Sequence, residues 1–165
     1  MPATYEPIAT TTLGSAAATI TFNSIGSGYT DLRLVIVTTT SATDTIYLQY
    51  NGISTSTYSG TYIYGDGATA SSARRTNVTG VYAGFGVVTS TTIPSMWTWD
   101  IFSYAGSTNK TSLSTISLDQ NGSGSVTRSV GLWRSTSAIT SITANVSGSN
   151  FNTGTTATLY GILKA

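Results

Sequence analysis

Two dense apolar runs lie at opposite ends of the chain: Leu32–Val37 (LRLVIV) and Leu159–Leu163 (LYGIL). The second belongs to a closing segment, residues 155–164, with period-two alternation. Thr155, Ala157, Leu159 and Gly161 fall on one face, and Thr156, Thr158, Tyr160 and Ile162 on the other. Neither face is strongly polar, which predicts a strand covered on both sides. The natural partner of this strand is the Leu32 run. Pairing them brings the two ends of the chain into one sheet, an arrangement found in sandwiches and jelly rolls.

The intervening sequence supports strands throughout. Ala16–Phe22 alternates Ala18, Ile20 and Phe22 against threonines, and Thr45–Tyr50 alternates Ile46, Leu48 and Tyr50 before Asn51-Gly52, a hairpin-turn signal. Met96–Tyr104 is the most aromatic strand, with Trp97, Trp99 and Ile101 on one face. In Ser112–Leu118, Leu113 is out of step with Ile116 and Leu118, which predicts a β-bulge. Further strands are expected at Val126–Trp133 and Ile139–Val146. The stretch from Ile53 to Gly86 is weakly patterned, with short strands expected at Thr61–Tyr64 and Val78–Ala83 between long loops. Pro2 and Pro7 disfavour helix near the start. The expectation is all-β: an antiparallel β-sandwich of jelly-roll type over residues 15–165, preceded by an extended N-terminal arm, residues 1–14.

Composition decides between order and disorder. Charged residues are only 8% of the 165, and Ser and Thr supply about a third. Disordered chains also lack aromatic and β-branched residues, whereas this one has ten Tyr, three Trp and four Phe. A net charge of +1 gives no general nucleic-acid or anionic-membrane binder, since such proteins cluster basic residues. Near-neutral chains tend to associate, so an assembly is expected. With no Cys there are no disulfides or thiolate metal sites, and with no His the usual general base is missing. No basic and apolar leader opens the sequence, and no run approaches the length of a membrane helix.

Candidate chemistry is sparse. Asp66 between Gly65 and Gly67 offers too few oxygens for calcium, and no metal or cofactor is expected. Hydroxyl nucleophiles abound but have no base to activate them. Asp100 and Asp119 could form a glycosidase pair, yet Asp100 is as easily the partner of Arg128 or Arg134. Arg33, inside an apolar strand, calls for Asp31 or Asp44 as its partner. A non-enzymatic role follows. The residues that invite a contact role are Tyr58, Tyr62 and Tyr64 with the pair Arg74-Arg75, because Tyr and Arg are enriched where proteins touch partners, and exposed rings stack on sugars. The alternative is that these rings cover the edge of the core.

The ending Phe151-Asn152-Thr153-Gly154-Thr155 with Leu159-Tyr160-Gly161-Ile162 resembles one found at the C-termini of bacteriophage virion proteins. Trp133-Arg134-Ser135-Thr136 with Ile139-Thr140-Ser141-Ile142 is similar to the segment before that ending. Tyr5-Glu6-Pro7-Ile8-Ala9, Thr19-Ile20-Thr21-Phe22 and Tyr29-Thr30-Asp31-Leu32-Arg33-Leu34 also resemble such proteins, as do Asn51-Gly52 and Tyr64-Gly65 with Gly67 and Ser71-Ser72. The resemblance implies a virion structural protein, made in the bacterial cytoplasm, where a cysteine-free chain is at home. It implies a capsid decoration (cement) protein bound to the major capsid protein, as a homotrimer. The alternative is a tail-fibre or baseplate domain that binds other tail proteins and host surface glycans. No shaft-forming repeat accompanies the sandwich, which favours decoration; a secreted adhesin would need a leader.

Overall fold

The computed structural model describes residues 4–84 and 88–163. Residues 1–3 of the expected arm, Phe85–Val87, and Lys164 at the end of the closing segment lie outside them. Among the described residues there is no helix. The strands are β1 (Tyr5–Thr12), β2 (Thr19–Phe22), β3 (Asp31–Thr38), β4 (Ile46–Tyr50), β5 (Tyr58–Gly65), β6 (Ala70–Val78), β7 (Val81–Tyr82), β8 (Ser95–Phe102), β9 (Lys110–Asp119), β10 (Gly124–Trp133), β11 (Ile142–Val146) and β12 (Thr156–Ile162). They form an eight-stranded sheet, β1-β12-β3-β8-β9-β10-β5-β6, and a four-stranded sheet, β2-β11-β4-β7. Every pairing is antiparallel. The protein is an all-β sandwich.

The two apolar runs do pair. Leu159 lies opposite Leu34, Ala157 opposite Ile36, and Gly161 opposite Leu32. All except Gly161 are fully buried side chains, and β8 continues the layer with Ile101, Trp99 and Trp97 opposite Leu32, Leu34 and Ile36. Each leucine and isoleucine of the block contributes about 1.5–3 kcal/mol on burial, so this block is the centre of the core. Gly161 is required there because the Tyr29 ring lies on it: an added Cβ would sit 2.3 Å from the ring. The small sheet supplies the facing layer from Ile20, Phe22, Ile46, Leu48, Ile142 and Ala144.

Burial on both sides of β12 and β3 is not what the chain adopts. Thr156 is exposed, Thr158, Tyr160 and Ile162 are half-buried, and Val37 on β3 is 39% exposed. One face packs on the small sheet and the other is open. The segment expected as an arm is extended, but Tyr5–Thr12 pairs with this chain's own β12 as β1, the edge of the large sheet. Its register shifts between Pro7 and Ala9, a bulge that turns Ile8 onto the core.

Asn51-Gly52 forms its turn, with φ of 53° and 69° and a bond from Ile53 N to the Tyr50 carbonyl of 2.9 Å. The strands it joins lie in different sheets, so the turn carries the chain across the sandwich instead of closing a hairpin. Asn51 also anchors the segment before β11. Its Oδ1 accepts from Thr140 N (2.8 Å) and Ser141 N (3.1 Å), and its Nδ2 donates to the Ala138 carbonyl (2.8 Å).

Two further expectations are corrected. β9 has no bulge: its register against β8 and β10 is continuous, with Ser112 and Ser114 buried and Leu113 turned outward. The reason is close packing by the segment Val81–Ala83. A Cβ on Gly131, which is opposite Ser112, would lie 2.4 Å from Val81 Cγ1, and Ser114 and Ser129 both donate to the Ala83 carbonyl. Only small side chains fit beneath that crossing. Arg33 is half-buried and pairs with Asp100 on the neighbouring strand (3.4 Å), not with Asp31 or Asp44. Asp31 instead accepts from Ser103 N, and Asp44 from Thr45 N and Gly148 N.

Candidate functional site

The five residues singled out in the sequence separate onto different surfaces. Tyr58 is the first residue of β5 rather than part of a loop, and its side chain is fully buried. Its ring stacks on Trp133 at 6.1 Å and lies tilted to Tyr50, also at 6.1 Å. Its hydroxyl donates to the Ile53 carbonyl (3.0 Å) and accepts from Tyr50 N (3.1 Å). Burial pushes the Tyr58 phenol up to about 12, and the Tyr50 phenol beside it is raised as well. Tyr62 is also buried, at 2% exposure. Tyr58 belongs to the core and Tyr62 is enclosed beside Arg75, so neither ring is open to a ligand.

Arg74 and Arg75 point to opposite faces of β6. The Arg75 guanidinium lies 4.4 Å from the centroid of the Tyr82 ring, which in turn stacks on Tyr47 at 4.8 Å. This pile joins the end of the large sheet to β7 and β4 of the small one. Burial, foremost, raises the Tyr62 phenol, against the lowering influence of neighbouring Arg75. Arg75 is therefore an internal strut. Of the five residues, Arg74 is exposed on the outer face and Tyr64 is half-buried against the core.

The outer face around β10, β5 and β6 carries the most exposed apolar side chains of the described strands. Ile63 and Val126 are each 63% exposed and Val130 49%. Arg128 sits directly opposite Ile63 in the β10–β5 register, with Val126 and Val130 on either side of it along the strand. A shallow groove of about 560 Å³ runs over Ile63, Val126, Arg128 and Ser72. Val126 and Gly65 also border an open cleft of about 640 Å³ between the β5–β6 and β9–β10 loops. Two carboxylates stand in those loops, and each is engaged by its own turn. The N–H groups of Thr69 (2.6 Å) and Ala68 (2.9 Å) hold the Asp66 carboxyl below its ordinary value, and Asp119 accepts from Asn121 N (2.8 Å).

The sequence reading missed this face, although β10 carries its signal. Thr127 and Ser129 are buried at 0% and 1% while Val126 and Val130 face solvent, an inversion of the usual pattern. The Asp100–Asp119 pair is not brought together. Asp100 lies opposite Leu113, and Asp119 is six residues further along β9, about 20 Å at the rise of a strand. Glycosidase carboxylates stand at most about 9.5 Å apart. Asp100 pairs with Arg33, Arg128 donates to Thr115 Oγ1, and Arg134 donates to the Ser56 carbonyl and Asn77 Oδ1. Among the described residues no three His, Cys, Asp or Glu side chains group as a metal site. No protein-family model matches the chain, and comparison with curated proteins and with solved structures finds no match.

Proposed function

We propose that this chain is a non-enzymatic structural protein of a bacteriophage particle, a capsid decoration protein that binds the major capsid protein and further copies of itself. The observation that carries the reading is the inverted pattern of the outer face. A strand that buries Thr127 and Ser129 while exposing Val126 and Val130 gives up core burial and leaves apolar surface open, which a partner would cover. The resemblance of the chain's two ends to virion proteins points the same way. So does the strand order. β1-β12-β3-β8 facing β2-β11-β4-β7, with consecutive strands crossing repeatedly between the two groups, is the order expected of a jelly roll. In that description β5-β6 and β9-β10 are two inserted hairpin-forming pairs that lengthen one sheet and carry the exposed patch. Weak contacts on such a patch stabilise a shell when symmetry multiplies them.

A tail-fibre or baseplate domain that binds host glycans is the second reading, favoured by the open cleft between the Asp66 and Asp119 loops. Copy number in purified particles, with location by cryo-electron microscopy, separates the two. Hundreds of copies on the shell support decoration. A handful at the tail tip refutes it.

A further inference from the structure

The two edges of the large sheet are protected differently. β1 carries Pro7, which has no N–H to donate, together with a bulge at the same place. These are devices that stop a sheet from growing. At the other edge, β6 pairs with β5 alone among the described strands. Its segment Ala70–Arg74 has no proline, and its register against β5 is unbroken; the irregularity falls later, between Arg75 and Val78. Ala70, Ser72 and Arg74 are exposed, and Ser71 and Ala73 half-buried. A row of backbone donors and acceptors along such an edge is a template for one more strand.

We propose that Ala70–Arg74 pairs with the same segment of a second copy of this chain, antiparallel about a two-fold axis centred on Ser72, so that the two large sheets become one. The two-fold axis stands perpendicular to the sheet, so directly opposite residues share a face and the axis passes through a residue position. Centring it on Ser72 sets Ala70 opposite Arg74, Ser71 opposite Ala73, and Ser72 opposite its own copy. Charge decides that a second copy fits. Each exposed Arg74 meets a small neutral side chain, and the two Arg74 positions are four residues apart along the seam. At strand rise that is about 13 Å, beyond the screening length in physiological salt. Like charges directly opposite would oppose pairing, and here none are. A second copy's β1 fits this edge less well, because Pro7 removes one donor and the bulge breaks the register. The two-fold replaces the threefold symmetry that the resemblance to virion proteins implies, and it holds whether the protein sits on a shell or a tail.

A five-residue ladder buries less than a standard interface, so the dimer is weak and concentration-dependent. The chain has no Cys, so single cysteines report contacts without background. Ser72→Cys places two thiols opposite each other across the axis, whereas Ala9→Cys puts one on the exposed part of the opposite edge strand. At ~50 µM protein under mild oxidant, Ser72→Cys is expected to form disulfide-linked dimer at least about tenfold faster than Ala9→Cys, because pairing raises the effective thiol concentration into the millimolar range. Unchanged near-ultraviolet circular dichroism of the reduced variants checks that both fold. In sedimentation, Ser72→Lys, which sets two ammonium groups face to face, shifts the wild-type dimer toward monomer. Equal cross-linking rates at the two positions, or a Ser72→Lys variant that associates as wild type does, would overturn the proposal.

Discussion

Replacing Tyr58 with Phe tests whether this ring belongs to the core or to a binding surface. The substitution keeps the stacking on Trp133 and removes one oxygen. That oxygen donates to the Ile53 carbonyl at 3.0 Å and accepts from Tyr50 N at 3.1 Å, with its side chain fully buried. Both partners lose their bond in a place water does not reach, which costs about 2–4 kcal/mol in total. For a domain of this size the melting temperature falls by about 5–15 °C. The phenol also gives the effect a pH signature. Its folded pKa, about 12, lies above the ordinary tyrosine value of about 10. A group raised in this way contributes stability that is complete below pH 10 and lost as pH climbs through 12, because the unfolded chain ionises first. The wild type should therefore lose about 1.4 kcal/mol per pH unit from this group between pH 10 and 12. Tyr58→Phe has no such group, so its deficit measured by urea unfolding at pH 11.5 should be about 2 kcal/mol smaller than at pH 8. A deficit below about 0.5 kcal/mol at pH 8, or one that does not shrink with pH, refutes the buried assignment.

Asn51→Ala should cost about 2–4 kcal/mol in denaturant unfolding, through bonds lost to Ala138, Thr140 and Ser141 and through a φ of 53° that Ala resists. Asn51→Gly, which accepts that φ, should recover part of the loss. Gly161→Ala drives a Cβ into the Tyr29 ring and should cost about 1–3 kcal/mol, read as a lower melting temperature with altered tyrosine fluorescence. Arg33→Ala should cost less than about 1 kcal/mol, because its bridge to Asp100 is partly exposed on both sides. The double variant Ile63→Ser, Val126→Ser should keep wild-type stability within about 0.5 kcal/mol, since both side chains face solvent. The same variant should bind particles more weakly in a co-sedimentation assay if the outer face is the docking surface.

Local pattern carried much of the architecture. Alternation in Leu32–Val37 and in the closing segment set which side chains share a face, and the aromatic run set Trp97, Trp99 and Ile101 together; all are buried as that alternation requires. The lack of any helical period excluded helix, and Asn51-Gly52 marked a turn because two successive left-handed residues are needed there. Other features depend on what each strand lies against. Leu113 faces out and Ser112 in because Val81–Ala83 crosses close above β9 and β10, and no one-dimensional pattern contains that crossing. Tyr58, Tyr62 and Arg75 looked like contact residues because ring and guanidinium chemistry is the same in a core as at an interface; only the neighbours Trp133, Ile53 and Tyr82 tell them apart. The exposed valines of β10 were hidden for the converse reason. Valine has the same strand preference facing water or core, so its side is set by the sheet it joins and by the layer above it. The sequence by itself determined the all-β class, the faces of its most apolar strands and the pairing of its two apolar ends, while β6 stood unread in a stretch expected to be loop. The tertiary structure decided which face meets a second layer and which edge stays open, because both depend on contacts between segments far apart in the chain.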